Sequence, residues 1–200
     1  MNNILGWIAS SGIVQGVIIG STMAFLTTVL ILDMAAKRET TTVNGWNSIR
    51  KAGQPGNGWL VRAALQKALP AVNVFEEAAY WTAEADNSGK KLTGEYCYLL
   101  HFPPGQLPPN DAFWSLTATD TVGYMVSGTA SRSSVDSHSG LAINEDGSVD
   151  VFLQPNAPKE TKGNWLPTPA GRFKLMLRAY LPGKAILNGS YAVPPVVEVI

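Results

Sequence analysis

From residue 4 to residue 32 the chain carries no charged side chain, and this run constrains everything that follows it. A helix rises about 1.5 Å per residue, so about 20 residues cross the roughly 30 Å hydrocarbon core of a bilayer. Residues 13–32 supply that length by themselves. A cleaved secretory signal carries basic residues ahead of its apolar run and small residues at the cleavage point. Here no Lys or Arg precedes the run, and Leu32-Asp33-Met34-Ala35-Ala36 makes a poor cleavage point. The sequence therefore predicts an uncleaved single-pass anchor over residues 1–36, with Trp7 at the membrane interface. Gly12, Gly16, Gly20, Ala24 and Thr28 recur every four residues within it. That spacing stacks small residues on one helical face, the pattern that lets a second span approach closely, and it predicts self-association or pairing with another span.

Beyond the anchor the composition changes. The chain holds 15 basic and 15 acidic residues, and its basic pairs (Lys37-Arg38, Arg50-Lys51, Lys90-Lys91) are isolated. A nucleic-acid binder needs a basic stripe to displace counterions from phosphates, so no nucleic-acid partner is expected. Thirteen prolines and nineteen glycines, most of the latter after residue 44, suit a turn-rich β domain better than long helices. Residues 37–58 are polar and read as a linker. Trp59 to Leu69 has helical spacing and ends at Pro70, so residues 37–70 make a linker with a short helix.

From residue 71 the period becomes two. Strands are expected at 78–83, 96–102, 113–117 and 173–180. A hairpin is expected from Leu141-Ala142-Ile143 through the turn Asn144-Glu145-Asp146-Gly147 to residues 148–153. Strands at short intervals between Pro/Gly turns predict an antiparallel β-sandwich, jelly-roll-like, over residues 71–200.

Several strings add a family likeness. They are Phe75-Glu76-Glu77-Ala78-Ala79-Tyr80-Trp81, Phe113-Trp114-Ser115-Leu116-Thr117, Asn144-Glu145-Asp146-Gly147-Ser148, Asn164-Trp165-Leu166-Pro167 and Leu177-Arg178-Ala179-Tyr180. Together they resemble the bacterial family called domain of unknown function 1214, over residue 44 to the C-terminus. The resemblance implies an antiparallel β-sandwich in an exported protein, and hence a periplasmic domain. The positive-inside rule opposes that side, because Lys37, Arg38, Arg50 and Lys51 follow the span and nothing basic precedes it. The resemblance also implies a short, anchored form lacking the sister domain of unknown function 1254. Where relatives carry an aromatic in an Asn-Arg-Tyr-Ser-like string, this chain has Ala130-Ser131-Arg132-Ser133-Ser134, keeping the Arg but not the aromatic.

No complete catalytic set emerges. The only histidines are His101 and His138, and Asp136-Ser137-His138-Ser139 holds triad residue types in one loop without a Gly-x-Ser-x-Gly elbow. Asn144, Asp146, Ser148 and Asp150 imitate a calcium loop poorly, so no metal and no cofactor is expected. Cys97, the single cysteine, reads as a packed, inert thiol. Glu77 or Asp120 is expected to pair with Arg132 or Arg178 as a structural ion pair, since buried charges are normally paired. Trp114 and Trp165, beside polar Ser115 and Asn164, are candidates for a stacking platform, with Arg132 and Arg178 as further ligand contacts. The expected function is a membrane-tethered binding or assembly module of the cell envelope, taking a small-molecule, glycan or lipid ligand. The alternative is an envelope hydrolase acting on a glycan or lipid.

Overall fold

The structure, a computed structural model, describes residues 6, 10–70, 72–125, 133–158 and 164–199. It divides into two compact units, one of Met1–Glu39 with Gly56–Ala71 and one of Thr40–Pro55 with Val72–Ile200.

In the first unit, helix α1 (Gly12–Glu39) is a single 28-residue helix, long and apolar enough to cross a membrane. Its apolar side chains, among them Ile13, Val17, Phe25, Leu26 and Leu30, are exposed. Helix α2 (Trp59–Ala68) packs along α1 and buries Ala64 and Leu65. Pro70 lies beyond its end, as its inability to continue a helix requires. Lys67 of α2 meets Asp33 of α1 in an ion pair.

The second unit is mostly β. Its strands are β1 (Thr41–Val43), β2 (Trp46–Ser48), β3 (Ala78–Ala83), β4 (Cys97–Phe102) and β5 (Trp114–Thr119). They continue with β6 (Ser134–Asp136), β7 (Val149–Gln154), β8 (Asn164–Pro167), β9 (Lys174–Tyr180) and β10 (Val196–Val199), with a one-turn helix α3 (Lys184–Leu187) before the last. Six strands form one sheet in the order β1-β2-β3-β9-β5-β6, and four form the other in the order β10-β4-β7-β8. The two sheets face each other across one core, because each strand alternates sides. Leu175, Leu177 and Ala179 of β9 and Leu116 of β5 meet Tyr98, Leu100 and Phe102 of β4 and Val151 and Leu153 of β7 in this cluster. Phe102 and Trp114 bridge the layers with ring centroids 5.9 Å apart, and Tyr98 meets Phe173 at 6.0 Å.

The structure departs from the sequence expectations in four places. Residues 41–48, expected in the linker, are instead a hairpin that extends the larger sheet. Asn44 (φ 52°) and Gly45 (φ 82°) close it as a two-residue turn, the geometry for which Asn-Gly is favoured. Trp46 anchors it at 1% exposure, with its indole N–H donating to the Pro194 carbonyl at 2.8 Å. The expected hairpin around residue 146 keeps its turn but loses its first strand. Ala142 pairs instead with the side chain of Asn164, which accepts from the Ala142 N–H at 2.9 Å and donates to the Ala142 and Asp150 carbonyls. The place beside β7 belongs to β8, which runs parallel to it, so the smaller sheet is mixed rather than antiparallel. Finally, Cys97 is exposed, because the alternation along β4 sends Tyr98, Leu100 and Phe102 inward.

Gly94 sits where no side chain fits. A Cβ there would lie 2.0 Å from the Pro169 carbonyl oxygen, whereas one at Gly171 meets nothing within 4 Å. Gly94→Ala is expected to destabilise the second unit by at least the roughly 1–3 kcal/mol typical of overpacking. Gly171→Ala should stay within about 0.5 kcal/mol of the parent. Thermal unfolding of the detergent-solubilised chain, followed by near-ultraviolet circular dichroism, separates the two; equal melting temperatures would contradict this packing.

Candidate functional site

The outer face of the six-stranded sheet carries the densest set of polar and aromatic groups. In β9 the inward residues are Leu175, Leu177 and Ala179, so Lys174, Met176, Arg178 and Tyr180 face outward. Strand register then fixes their neighbours. Arg178 lies opposite Tyr80 of β3 on one side and Ser115 of β5 on the other, and Ser115 lies opposite Asp136 of β6. The result is a row, Tyr80–Arg178–Ser115–Asp136, with neighbours about 4.8 Å apart along the hydrogen-bonding direction. The next row runs Asn47–Thr82–Met176–Thr117–Ser134. At one end of the face Phe113 stacks on Tyr180, with centroids 4.4 Å apart and planes at 21°. The His138 ring is 5.9 Å from Phe113.

The charges on this face are unevenly satisfied. Lys174 pairs with Glu84 at 2.8 Å. Burial pushes the Asp136 carboxyl up, but hydrogen bonds from the Ser139 hydroxyl, the His138 N–H and the Ser134 hydroxyl outweigh it and leave the group below the usual carboxylate value. Arg178 is half-buried, and its one side-chain hydrogen bond among the described residues is a 3.4 Å contact from Nη1 to the Thr117 hydroxyl. Beside it the Ser115 hydroxyl, in a residue only 9% exposed, has no hydrogen-bonding partner among the described residues. A guanidinium carries five donors in a planar fork that fits a carboxylate or phosphate with two parallel bonds.

The expected ion pairs do not form with Arg178. Glu77 is exposed just before β3, and it is its backbone carbonyl that is used, accepting from the Leu181 N–H at 2.8 Å. Asp120 accepts from the N–H groups of Val122, Gly123 and Tyr124 and so closes its own turn. Arg132 lies outside the described residues. The two tryptophans do not form a joint platform either. Trp114 is 2% exposed inside the core and offers no free ring face. Trp165 is half-buried on the outside of the other sheet, where its indole N–H donates to the Gln154 carbonyl at 2.9 Å and it lies opposite Phe152. Trp114, Trp165 and Arg178 thus occupy three separate layers of the sandwich.

Sequence reading missed the partners of Arg178. Period-two alternation puts Tyr80, Ser115 and Asp136 on outward positions, but only register places them in one row. It also missed a dyad on the opposite face. His101 of β4 lies opposite Asp150 of β7, and its Nδ1 donates to the Asp150 carboxylate at 2.6 Å. Asn144 donates to the other carboxylate oxygen at 2.9 Å. The imidazole is thereby oriented, as in hydrolase dyads, but its Nε2 meets no hydroxyl or thiol among the described residues. Ser148 nearby is 1% exposed and already bonded to Asp146 and Asn144. Among the described residues no group of three or more His, Cys, Asp or Glu side chains is placed to hold a metal ion.

The signature of a protein family of unknown function, DUF1214, matches residues 77–184, just over half of the chain. The chain belongs to the DUF1214 family. Among solved structures it is similar to the VPA0106 protein from Vibrio parahaemolyticus, with 24% identity and a TM-score of 0.60 over 70% of this chain. An uncharacterised protein from Burkholderia cenocepacia matches 68% of it at 19% identity with a TM-score of 0.47. The chain spans about a third of the length of each, 35% and 33%. The Vibrio likeness shows the sandwich fold of this DUF1214 member and nothing of its chemistry. No curated protein matches the sequence.

The depressed Asp136 carboxyl gives a signed expectation. A carboxylate held below its unfolded value, about 3.9, adds stability that is fully present above that value and is lost as pH falls through the folded one. Asp136→Asn should lower the urea midpoint at neutral pH and make the loss of stability below about pH 4 shallower than in the parent. Parallel curves for the two proteins across that range would mean that Asp136 is not held this way.

Proposed function

We propose that this DUF1214 protein is a membrane-anchored binding module, and that the outer face of its six-stranded sheet takes a small ligand carrying a carboxylate or phosphate. The observation that carries the reading is Arg178. A half-buried cation is normally paired, and this one meets only a hydroxyl among the described residues. An external anion would complete its fork, with the Ser115 hydroxyl beside it. Tyr80 on one flank and the stacked Phe113 and Tyr180 on the other suit a flat body attached to that anion. The second reading, an envelope hydrolase, has the His101–Asp150 dyad in its favour. It lacks an activated nucleophile among the described residues, so binding is preferred.

Apolar α1 supports anchoring in the inner membrane. The open space around Gly12, Gly16 and Gly20 supports pairing of spans through their shared face. The sandwich is assigned to the periplasm on the family resemblance, against the charge balance around the span.

Two measurements test this reading. In detergent, 4-hydroxybenzoate or phenyl phosphate should raise the melting temperature of the full chain, and Arg178→Gln should abolish the shift. Saturation at about 100 times Kd corresponds to about 2.7 kcal/mol. A shift of equal size in the variant would move the site elsewhere, and no shift with either probe would count against an anion site. For sidedness, exposed Cys97 serves as a native reporter. An impermeant maleimide should label it once the outer membrane alone is opened. Labelling only after the inner membrane is breached would place the sandwich in the cytoplasm.

A further inference from the structure

The first unit carries a feature that the binding reading leaves unused. Helix α2 buries Ala64 and Leu65 and turns Trp59, Arg62, Ala63 and Gln66 outward, at the i, i+3, i+4, i+7 spacing of one face. Trp59 is 82% exposed, an unusual state for an indole in water. Asp33 is the first charged residue after the apolar run, so it marks where the hydrocarbon-spanning stretch of α1 ends. The Lys67–Asp33 ion pair therefore fixes the last turn of α2 at that level. Lys37 and Arg38, both exposed, lie one turn further along α1. Around this boundary the unit has four basic side chains (Lys37, Arg38, Arg62, Lys67) against two acidic ones, Asp33 and Glu39, and Lys67 already neutralises Asp33.

We infer that α2 is held at the membrane interface beside α1, with Trp59 among the lipid headgroups and with Lys37, Arg38 and Arg62 against the phosphates of anionic phospholipids. The inference rests on the anchor reading, because α1 brings that surface to α2. Indole rings favour the headgroup region, where the ring is apolar and its N–H stays wet. Basic side chains next to a membrane-spanning segment are drawn to anionic lipid, an attraction that salt screens within about 10 Å at 0.1 M ionic strength. The charge complementarity and the continuity with α1 select lipid rather than a protein partner.

The test uses the full chain reconstituted into vesicles of phosphatidylcholine alone or mixed with phosphatidylglycerol. Brominated phospholipid should quench the emission of Trp59, isolated as the difference between the parent and Trp59→Phe. Amide exchange over residues 59–68 should be slower in the anionic vesicles, by about fivefold for each basic contact engaged. The triple variant Lys37→Gln, Arg38→Gln, Arg62→Gln should lose that lipid dependence and still resist carbonate extraction. An unquenched Trp59, or exchange that is equal in both vesicle types, overturns the interfacial helix while carbonate resistance leaves the anchor standing. Release by carbonate overturns the anchor and this inference with it.

Discussion

Strand β9 is hydrogen-bonded along both of its edges, to β3 and to β5, and the arrangement of the sandwich follows from that pairing. It arrives late in the chain and inserts between two strands laid down about a hundred and about sixty residues earlier. Its inward side chains Leu175, Leu177 and Ala179 are fully buried in the core against the other sheet. A slip of one residue would turn all of them outward and Lys174, Met176 and Arg178 inward, burying two charges. That cost fixes the register, and the register fixes what surrounds Arg178. The same constraint that stabilises the core therefore builds the outer face.

The two outer faces are chemically different. On the larger sheet a cation sits between a tyrosine and a serine, and the carboxylate in its row, Asp136, is two strands away and already bonded to its own loop. On the smaller sheet Val197, Leu99, Phe152 and Trp165 form a half-exposed apolar row, bordered by the His101–Asp150 dyad. A binding face needs only a preorganised donor set and ring surface. Hydrolysis needs a nucleophile within reach of the oriented base, and the described residues place none there.

Much of the fold was legible because it depends on local pattern. The apolar run, the helix ending before Pro70 and the alternating segments around residues 78–83, 97–102 and 174–180 all appear where residue spacing puts them. The β1–β2 hairpin is signalled by Asn44-Gly45 alone, because its three-residue strands, Thr-Thr-Val and Trp-Asn-Ser, give too short an alternation to stand out from a polar linker. The site was much less legible. Trp114 looked like a ligand contact because Ser115 follows it, yet alternation sends one of the pair inward, and it is the tryptophan that the core takes. Arg178 was singled out, but with acids that use their oxygens elsewhere or lie exposed. Its actual neighbours, Tyr80 and Ser115, come from strands that share no sequence signal with β9.

What the sequence determined by itself is what neighbouring residues settle among themselves. This includes an uncharged run long enough to cross a bilayer as a helix, a β-rich remainder punctuated by turns, and the family strings that place the chain in DUF1214. Tertiary structure alone decided that β8 runs parallel to β7, that Asn164 replaces a strand beside Ala142, and that Arg178 meets Ser115 rather than an acid. The physical reason is that strand pairing is chosen by the fit of whole buried faces. The energy of that fit is spread over residues up to about 150 positions apart, such as Asn44 and Val193, and no local window contains it.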